Sequence, residues 1–179
     1  MFVLIIGPMF SGKTTELITQ INKYKYSNIN NIKKNMCFVK NIDDRYGITN
    51  KLVSHPKNIN MDAIVITSLD DIKLKNYDII GIDEGHFYDS NKLINIIKKI
   101  FKLKKILILT MLNGDYKQQP FINFGKICAL ASKIKYKKSS CRICNKPASF
   151  TTTNKNFENK NIIKSDDGKI FFPVCYEHI

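Results

Sequence analysis

The first residues whose types and spacing could perform chemistry form a phosphate-binding pattern near the start of the chain. Five apolar residues at positions 2–6 lead into Gly7-Pro-Met-Phe-Ser-Gly-Lys-Thr14, which matches G-x-x-x-x-G-K-[ST]. In this pattern backbone N–H groups bind phosphate oxygens, the lysine reaches the outer phosphates and the hydroxyl binds Mg²⁺. The alternative is a chance match in a glycine turn, which the flanking strand and helix patterns disfavour. A nucleoside triphosphate is therefore predicted to bind Gly7, Pro8, Met9, Phe10, Ser11, Gly12, Lys13 and Thr14.

Two carboxylates follow a second apolar run. Residues 78–82 lead directly into Asp83 and Glu84. In phosphate-loop sites an aspartate at the end of a buried strand holds Mg²⁺ or its water, so Asp83 is predicted to share the metal with Thr14. Glu84 stands beside Asp83 at the end of the same predicted strand, and the alternative to a site residue is a solvated loop acid.

A third polar group follows a short predicted strand at residues 36–40. It reads Asp43-Asp-Arg-Tyr46 and would lie at the carboxyl end of that strand, where open α/β sheets bind ligands. Asp43 is therefore predicted to support the nucleotide or the water molecules of its metal.

Three of the five cysteines lie near the C-terminus with the spacing of metal ligands. Cys141-x-x-Cys144 and Cys175-x-x-His178 each supply two ligands from one tight turn, as a closed tetrahedral zinc site requires. The alternative is three reduced surface cysteines and an unrelated histidine. An odd cysteine count without a secretion signal argues against a disulfide scaffold. We predict structural zinc, because four protein ligands leave no open position for catalysis.

The elements that must position these groups alternate between strands and helices. Apolar runs predict strands at 2–6, 36–40, 63–66, 78–82 and 105–111, and helical spacing predicts helices from the phosphate loop to about 26, and at 69–74, 91–101 and 124–131. This alternation predicts an α/β domain with a mainly parallel sheet. From about Lys133 the chain changes to short polar and β-prone stretches.

Composition narrows the class of protein. The chain has 179 residues, 44% of them hydrophobic, which suits one domain with a small appendage. No apolar run approaches the roughly 20 residues of a membrane span, and the N-terminus lacks a signal-peptide pattern, so we expect a cytoplasmic protein with no membrane partner. The net charge of +14 comes from dispersed lysines without a basic block, so we expect no nucleic-acid partner.

The complete set of motifs resembles the cellular-type (type II) thymidine kinases, and most closely their short poxvirus members. The resemblance covers nearly the whole chain. It rests on the segments 4–17, 43–46, 80–85 with Phe87, 112–114 with Tyr116 and Pro120-Phe121, and on the two zinc half-sites.

The resemblance implies ATP-dependent transfer of the γ-phosphate to the 5′-hydroxyl of thymidine, giving dTMP, with Mg²⁺ and structural zinc. It also implies a homotetramer. The fold it implies is a RecA-like P-loop domain at 1–138 with a mainly parallel sheet, followed by a small zinc-binding lasso domain at 139–179 that closes over the substrate. Two alternatives stay open: a nucleic-acid-dependent P-loop ATPase with a zinc ribbon, and a non-catalytic metal-binding module.

The resemblance also assigns roles to individual residues. Glu84 is the implied general base, assisted by Lys13 and by Arg45, which would contact the transferring phosphate or Glu84; the alternative for Arg45 is a surface position. The implied thymidine-binding residues are Met9, Phe87, Leu112, Tyr116, Phe121, Thr151, Ile162, Ile163, Lys164, Ser165, Asp166 and Phe171.

The chain departs from the family pattern at several positions. His86 replaces a glutamine beside the implied base, where a protonatable group is expected to shift the pH profile. Phe171 replaces a tyrosine and lacks its hydroxyl, and His178 replaces a fourth cysteine, which zinc accepts. The remaining departures are Asn113 for an aspartate, Gln118-Gln119 for Arg-Lys, and Ser165-Asp-Asp167 for Ile-Gly-Gly.

Overall fold

A computed structural model describes residues 1–26, 35–41, 51–53, 60–62, 64–66, 68–154 and 170–179. The α-helices are α1 (Lys13–Tyr26), α2 (Ser90–Lys102) and α3 (Phe124–Leu130). The strands are β1 (Phe2–Gly7), β2 (Met36–Asn41), β3 (Lys51–Val53), β4 (Asn60–Asp62), β5 (Ile64–Ile66), β6 (Ile79–Ile82), β7 (Ile106–Leu112), β8 (Lys133–Tyr136), β9 (Ser139–Ser140), β10 (Pro147–Ala148), β11 (Phe150–Thr153) and β12 (Phe171–Val174).

The central sheet is parallel, as the alternation of strands and helices predicted. Its order is β5-β2-β6-β7-β1-β8, and each neighbouring pair runs parallel. The carboxyl ends of parallel strands meet at one edge, so the phosphate loop after β1 and the carboxylates after β6 open onto the same side. Strand β7 lies between β1 and β6 and therefore separates these two groups.

Both faces of the sheet are covered, because alternate residues of each strand point in opposite directions. Val3 and Ile5 pack with the apolar side of α1, whereas Phe2 and Leu4 share a core with the apolar side of α2. Strand β6 lacks a side chain where α1 comes nearest: a Cβ on Gly81 would lie 2.3 Å from Cδ1 of Ile21. The sheet is therefore the middle layer of a helix–sheet–helix sandwich.

The predicted helix at 69–74 is wrong in type. Two 3₁₀ turns, Leu69–Asp71 and Leu74–Asn76, occupy this region. Ser68 caps the first turn, since its Oγ accepts from the N–H of Asp70 at 3.3 Å. The first turn ends at Ile72, which is extended with ψ of 113° and is buried in the core. A segment of six residues is too short to form a stable α-helix when burial of Ile72 requires an extended backbone.

The C-terminal residues build a small core of their own. Two antiparallel pairs, β9–β10 and β11–β12, surround a buried cluster of Cys141, Ala148, Val174 and Cys175. This cluster is separate from the two cores that flank the central sheet. The preceding strand, β8, belongs to the central sheet and pairs with β1.

Across the described part of the chain, no helix combines the length and the apolar character that crossing a membrane demands.

Candidate active site

The phosphate loop joins β1 directly to α1. Close packing requires its first glycine, since a Cβ on Gly7 would lie 2.4 Å from the backbone oxygen of Lys137. Its second glycine, Gly12, has open space but a φ of +74°, which disfavours any side chain. Lys13 is buried and its Nζ donates to the carbonyl oxygen of Pro8 at 2.7 Å, as does the hydroxyl of Ser11 at 2.8 Å. The loop thus keeps its lysine folded against its own backbone, beside the N-terminus of α1.

The structure brings together the two residues predicted to hold magnesium. The Thr14 hydroxyl donates to Oδ2 of Asp83 at 2.9 Å, across 69 positions in sequence. The other oxygen of the carboxylate, Oδ1, accepts from the hydroxyl of Thr110 at 2.5 Å. Oxygen ligands of this kind suit Mg²⁺, which binds through one or two protein oxygens and substrate phosphates. The donor set therefore fits the cation.

Thr110 is a site residue that was not among those predicted. It is fully buried on β7, and its hydroxyl also accepts from the N–H of Glu84 at 2.9 Å. One hydroxyl therefore ties together Asp83 and the backbone of Glu84. The available signal was that Thr110 is the single polar residue in the strand ILILTML.

Glu84 occupies a strained position at the end of β6. Its φ and ψ are both 50°, in the left-handed region that non-glycine residues rarely adopt. The following residue packs tightly on β7, since a Cβ on Gly85 would lie 2.6 Å from Cδ1 of Leu109. Strained backbone persists where the surrounding structure holds it, and such positions concentrate at functional sites. The side chain of Glu84 is buried next to Asp83.

An aromatic cluster adjoins Glu84. The ring of His86 contacts those of Phe87 and Phe121, with centroids 4.4 Å and 5.1 Å away. Its Nε2 lies 3.4 Å from Oε2 of Glu84, and its Nδ1 accepts from the N–H of Leu112 at 3.3 Å. His86 therefore contacts three predicted thymidine-binding residues, Phe87, Leu112 and Phe121.

Four further predicted thymidine-binding residues meet where the loop after β7 reaches the C-terminal strands. Thr151 Oγ1 accepts from the N–H of Met9 at 3.0 Å, which joins the phosphate loop to β11. The rings of Tyr116 and Phe171 lie 5.6 Å apart. The departures from the family pattern also find partners here, because Gln118 donates to the carbonyl of Thr151 at 3.3 Å and Asn113 to that of Ser149 at 3.0 Å.

Several predicted site residues lie outside the described residues: Asp43, Arg45, Ile162, Ile163, Lys164, Ser165 and Asp166. Their roles therefore stay predictions.

The predicted zinc ligands converge on one point. The ligand atoms of Cys141, Cys144, Cys175 and His178 all lie within 4.8 Å of one another. The cysteines form no disulfide. Burial raises the pKa of the Cys141 thiol, but hydrogen bonds from the backbone of Cys175, Cys144 and Ile143 outweigh it and bring the pKa to about 6. Thiolate character, a Cys₃His donor set and this spacing all fit zinc.

One ion-pair cluster supports the helix that follows the phosphate loop. Glu16, in the first turn of α1, accepts from Nζ of Lys135 and lies 3.6 Å from Nζ of Lys137. Burial alone would raise the pKa of Glu16, but hydrogen bonds from Lys135 and Gln20 and the charges of both lysines lower it overall. Strand β8 is therefore linked electrostatically to α1 beside the loop.

Comparison with known proteins gives one family. A family model described as Thymidine kinase matches residues 1–179. A thymidine kinase of Amsacta moorei entomopoxvirus is 39% identical over 178 residues, covering 96% of this chain and 93% of that protein. A thymidine kinase of Myxoma virus (strain Uriarra) is 34% identical, covering 97% and 94% respectively. Thymidine kinase 1 of Dictyostelium discoideum is 33% identical over 92% of this chain and 68% of its own length. The chain belongs to the thymidine kinase family.

Proposed function

We infer that this protein is an ATP-dependent thymidine kinase, which transfers the γ-phosphate of ATP to the 5′-hydroxyl of thymidine and forms dTMP. One observation carries the inference. The hydroxyl of Thr110 holds both Asp83, at 2.5 Å, and the backbone of Glu84, at 2.9 Å, beside the phosphate loop. A metal-binding carboxylate and an adjacent second carboxylate at the phosphates are what phosphoryl transfer to a hydroxyl requires.

The phosphate loop positions ATP. The backbone N–H groups of residues 7–14 and the N-terminus of α1 would bind the phosphates, and Lys13 would exchange its bond to Pro8 for a phosphate oxygen. Thr14 and Asp83 would hold Mg²⁺ directly or through water, with Asp43 supporting them. Mg²⁺ held there would supply positive charge that offsets the negative charge of the phosphates.

Glu84 would take the proton of the 5′-hydroxyl as that oxygen bonds to the γ-phosphorus and the bond to the β-phosphate oxygen breaks. Two observations support this role: Glu84 is buried, and it follows Asp83, whose carboxylate accepts from Thr14 of the phosphate loop. Lys13 and Arg45 would offset the charge that develops on the transferred group.

Thymidine would bind between the phosphate loop and the C-terminal strands. Met9, Thr151, Tyr116 and Phe171 meet there, and the aromatic cluster at Phe87 and Phe121, with Leu112, supplies the adjoining wall. We propose that residues 162–166 complete this surface as part of a lid, and that the chain divides into a nucleotide-binding domain at 1–138 and a zinc-binding lid domain at 139–179. A homotetramer acting in the cytoplasm completes the proposal.

The experiment combines purified protein, ATP, Mg²⁺ and labelled thymidine and measures dTMP. The wild type should form dTMP, and Glu84→Gln, which keeps the size but cannot take the proton, should lower kcat by roughly 10²–10⁴-fold. The matched control is Asp70→Asn, because Asp70 is exposed and the described contacts of its carboxylate, with Lys92, Lys99 and the Ser68 hydroxyl, lie outside the candidate active site. ATP hydrolysis that requires DNA or RNA, with no nucleoside phosphorylated, would refute the proposal.

A further inference from the structure

His86 links the carboxylate of Glu84 to the end of β7. It lies in the 3₁₀ turn Gly85–Phe87, directly after the strained backbone of Glu84, and its side chain is only 2% exposed. Its two ring nitrogens face different partners, with Nδ1 toward the backbone N–H of Leu112 and Nε2 toward Oε2 of Glu84.

The backbone contact determines which nitrogen carries the proton. The N–H of Leu112 donates to Nδ1 at 3.3 Å, so Nδ1 is the acceptor and carries no proton. A neutral imidazole then has its proton on Nε2, which lies 3.4 Å from the Glu84 carboxylate. Whether one ring nitrogen of a histidine carries the proton is often determined in this way by the hydrogen bond that the other nitrogen makes.

The orientation of the ring is held by packing as well as by hydrogen bonding. Phe87 and Phe121 both pack against it, with ring centroids 4.4 Å and 5.1 Å away. Rotation of the imidazole away from Glu84 would break the contact with Leu112 and disturb both ring contacts. The N–H donor that faces Glu84 therefore has a defined position.

We propose that His86 is a positioning residue, which directs the Glu84 carboxylate toward the 5′-hydroxyl of thymidine. This inference rests on the proposed function, in which Glu84 takes the proton of that hydroxyl. His86 neither gains nor loses a proton: its Nε2–H lies 3.4 Å from Oε2 and would donate one hydrogen bond to that oxygen after a small approach of the two side chains, while the other oxygen of Glu84 receives the proton. Catalytic groups must be held close to the productive geometry, and a supporting hydrogen bond supplies this constraint.

The test compares two substitutions at His86. His86→Phe keeps an aromatic ring in contact with Phe87 and Phe121 but removes both nitrogens. His86→Gln restores one acceptor and one donor on a side chain of similar reach. Each is made in the wild type and in Glu84→Gln, and kcat and KM for thymidine are measured, using single turnovers for the slow variants.

We expect His86→Phe to lower kcat about tenfold, as loss of one hydrogen bond to a charged group would, with KM changed less than about threefold. His86→Gln should restore kcat to within about threefold of the wild type. In the Glu84→Gln background, His86→Phe should cause no further loss, because the group it positions is no longer a base.

Three outcomes would overturn the inference. Equal losses of kcat in both backgrounds would indicate a general structural role, and wild-type kcat in His86→Phe would show that the contact has no effect. If His86→Phe does not fold, a tenfold loss in the folded His86→Gln variant would count against positioning by hydrogen bonding. If the wild type phosphorylates no nucleoside, the proposed function is refuted as well. If Glu84→Gln is inactive but His86→Phe keeps wild-type kcat, only the role of His86 is refuted.

Discussion

Substitution of Thr110 by valine tests the contact that holds the candidate active site together. The hydroxyl of Thr110 donates to Oδ1 of Asp83 at 2.5 Å and accepts from the N–H of Glu84 at 2.9 Å, and the side chain is fully buried. Valine has nearly the same shape but no hydroxyl. The substitution therefore removes two hydrogen bonds without leaving a large cavity.

The magnitude follows from what each partner loses. A hydrogen bond to a charged group contributes about 1.5–3 kcal/mol, and a buried N–H left without an acceptor costs about 1–3 kcal/mol. Because the site is polar and can relax, we expect Thr110→Val to lower the free energy of unfolding by about 3 kcal/mol. In a domain of this size that corresponds to a fall in Tm of roughly 6–12 °C.

The assay is thermal unfolding followed by circular dichroism, with kcat for dTMP formation measured on the same preparations. Thr110→Ser is the matched variant, since it keeps the hydroxyl and loses only a methyl, at a cost of about 1 kcal/mol. Thr19→Val is the control for the threonine-to-valine change, because Thr19 is exposed on α1 and its hydroxyl donates to the carbonyl of Thr15, one helical turn earlier, at 2.9 Å. That control should change stability by less than about 0.5 kcal/mol.

The reasoning would be refuted if Thr110→Val unfolded within about 2 °C of the wild type, or if Thr110→Ser were as unstable as Thr110→Val. The second result would show that the methyl group, and not the hydroxyl, stabilises this part of the sheet. We also expect kcat of Thr110→Val to fall roughly tenfold, because Asp83 and Glu84 lose a common support.

Two further predictions concern the supports of the site. A chelator should remove about one equivalent of zinc, measured by mass spectrometry, and lower Tm by several degrees, because a closed metal site contributes to folding. Cys141→Ser should purify without that zinc and show a similar loss of Tm, and an unchanged Tm would argue against the metal. Cys128→Ser, outside the ligand cluster, should change neither the zinc content nor Tm. The second prediction concerns Glu16, whose pKa lies below its ordinary value of 4.5. A carboxylate with a lowered pKa stabilises the folded state at pH values above its unfolded pKa, and this stabilisation is lost as the pH falls through its folded pKa. Wild type should therefore exceed Lys135→Met in stability by a constant amount near neutral pH, and the difference should shrink below about pH 4.5 in urea titrations; a difference that grows on acidification would contradict this pairing.

Much of the fold could be predicted because its signals are local. The apolar run of β1 and the glycine pattern after it specify a strand, a turn and a helix within 26 residues. Helical spacing of apolar residues likewise located α2, and a continuous apolar run located β7, because a central strand of a parallel sheet is buried on both faces. The 3₁₀ turns after Ser68 were not predicted, because the burial of Ile72 decides where the first turn ends.

The candidate chemical groups can be read from sequence alone: a phosphate loop, two carboxylates after a buried strand, and two pairs of residues with the spacing of zinc ligands. How these groups contact one another depends on the fold. Strand β7 pairs with β6 in the register Ile82↔Leu109, which places the next residues, Asp83 and Thr110, side by side. Contacts such as these depend on strand order and register, which arise from packing between segments far apart in the chain and leave no periodic trace in either segment.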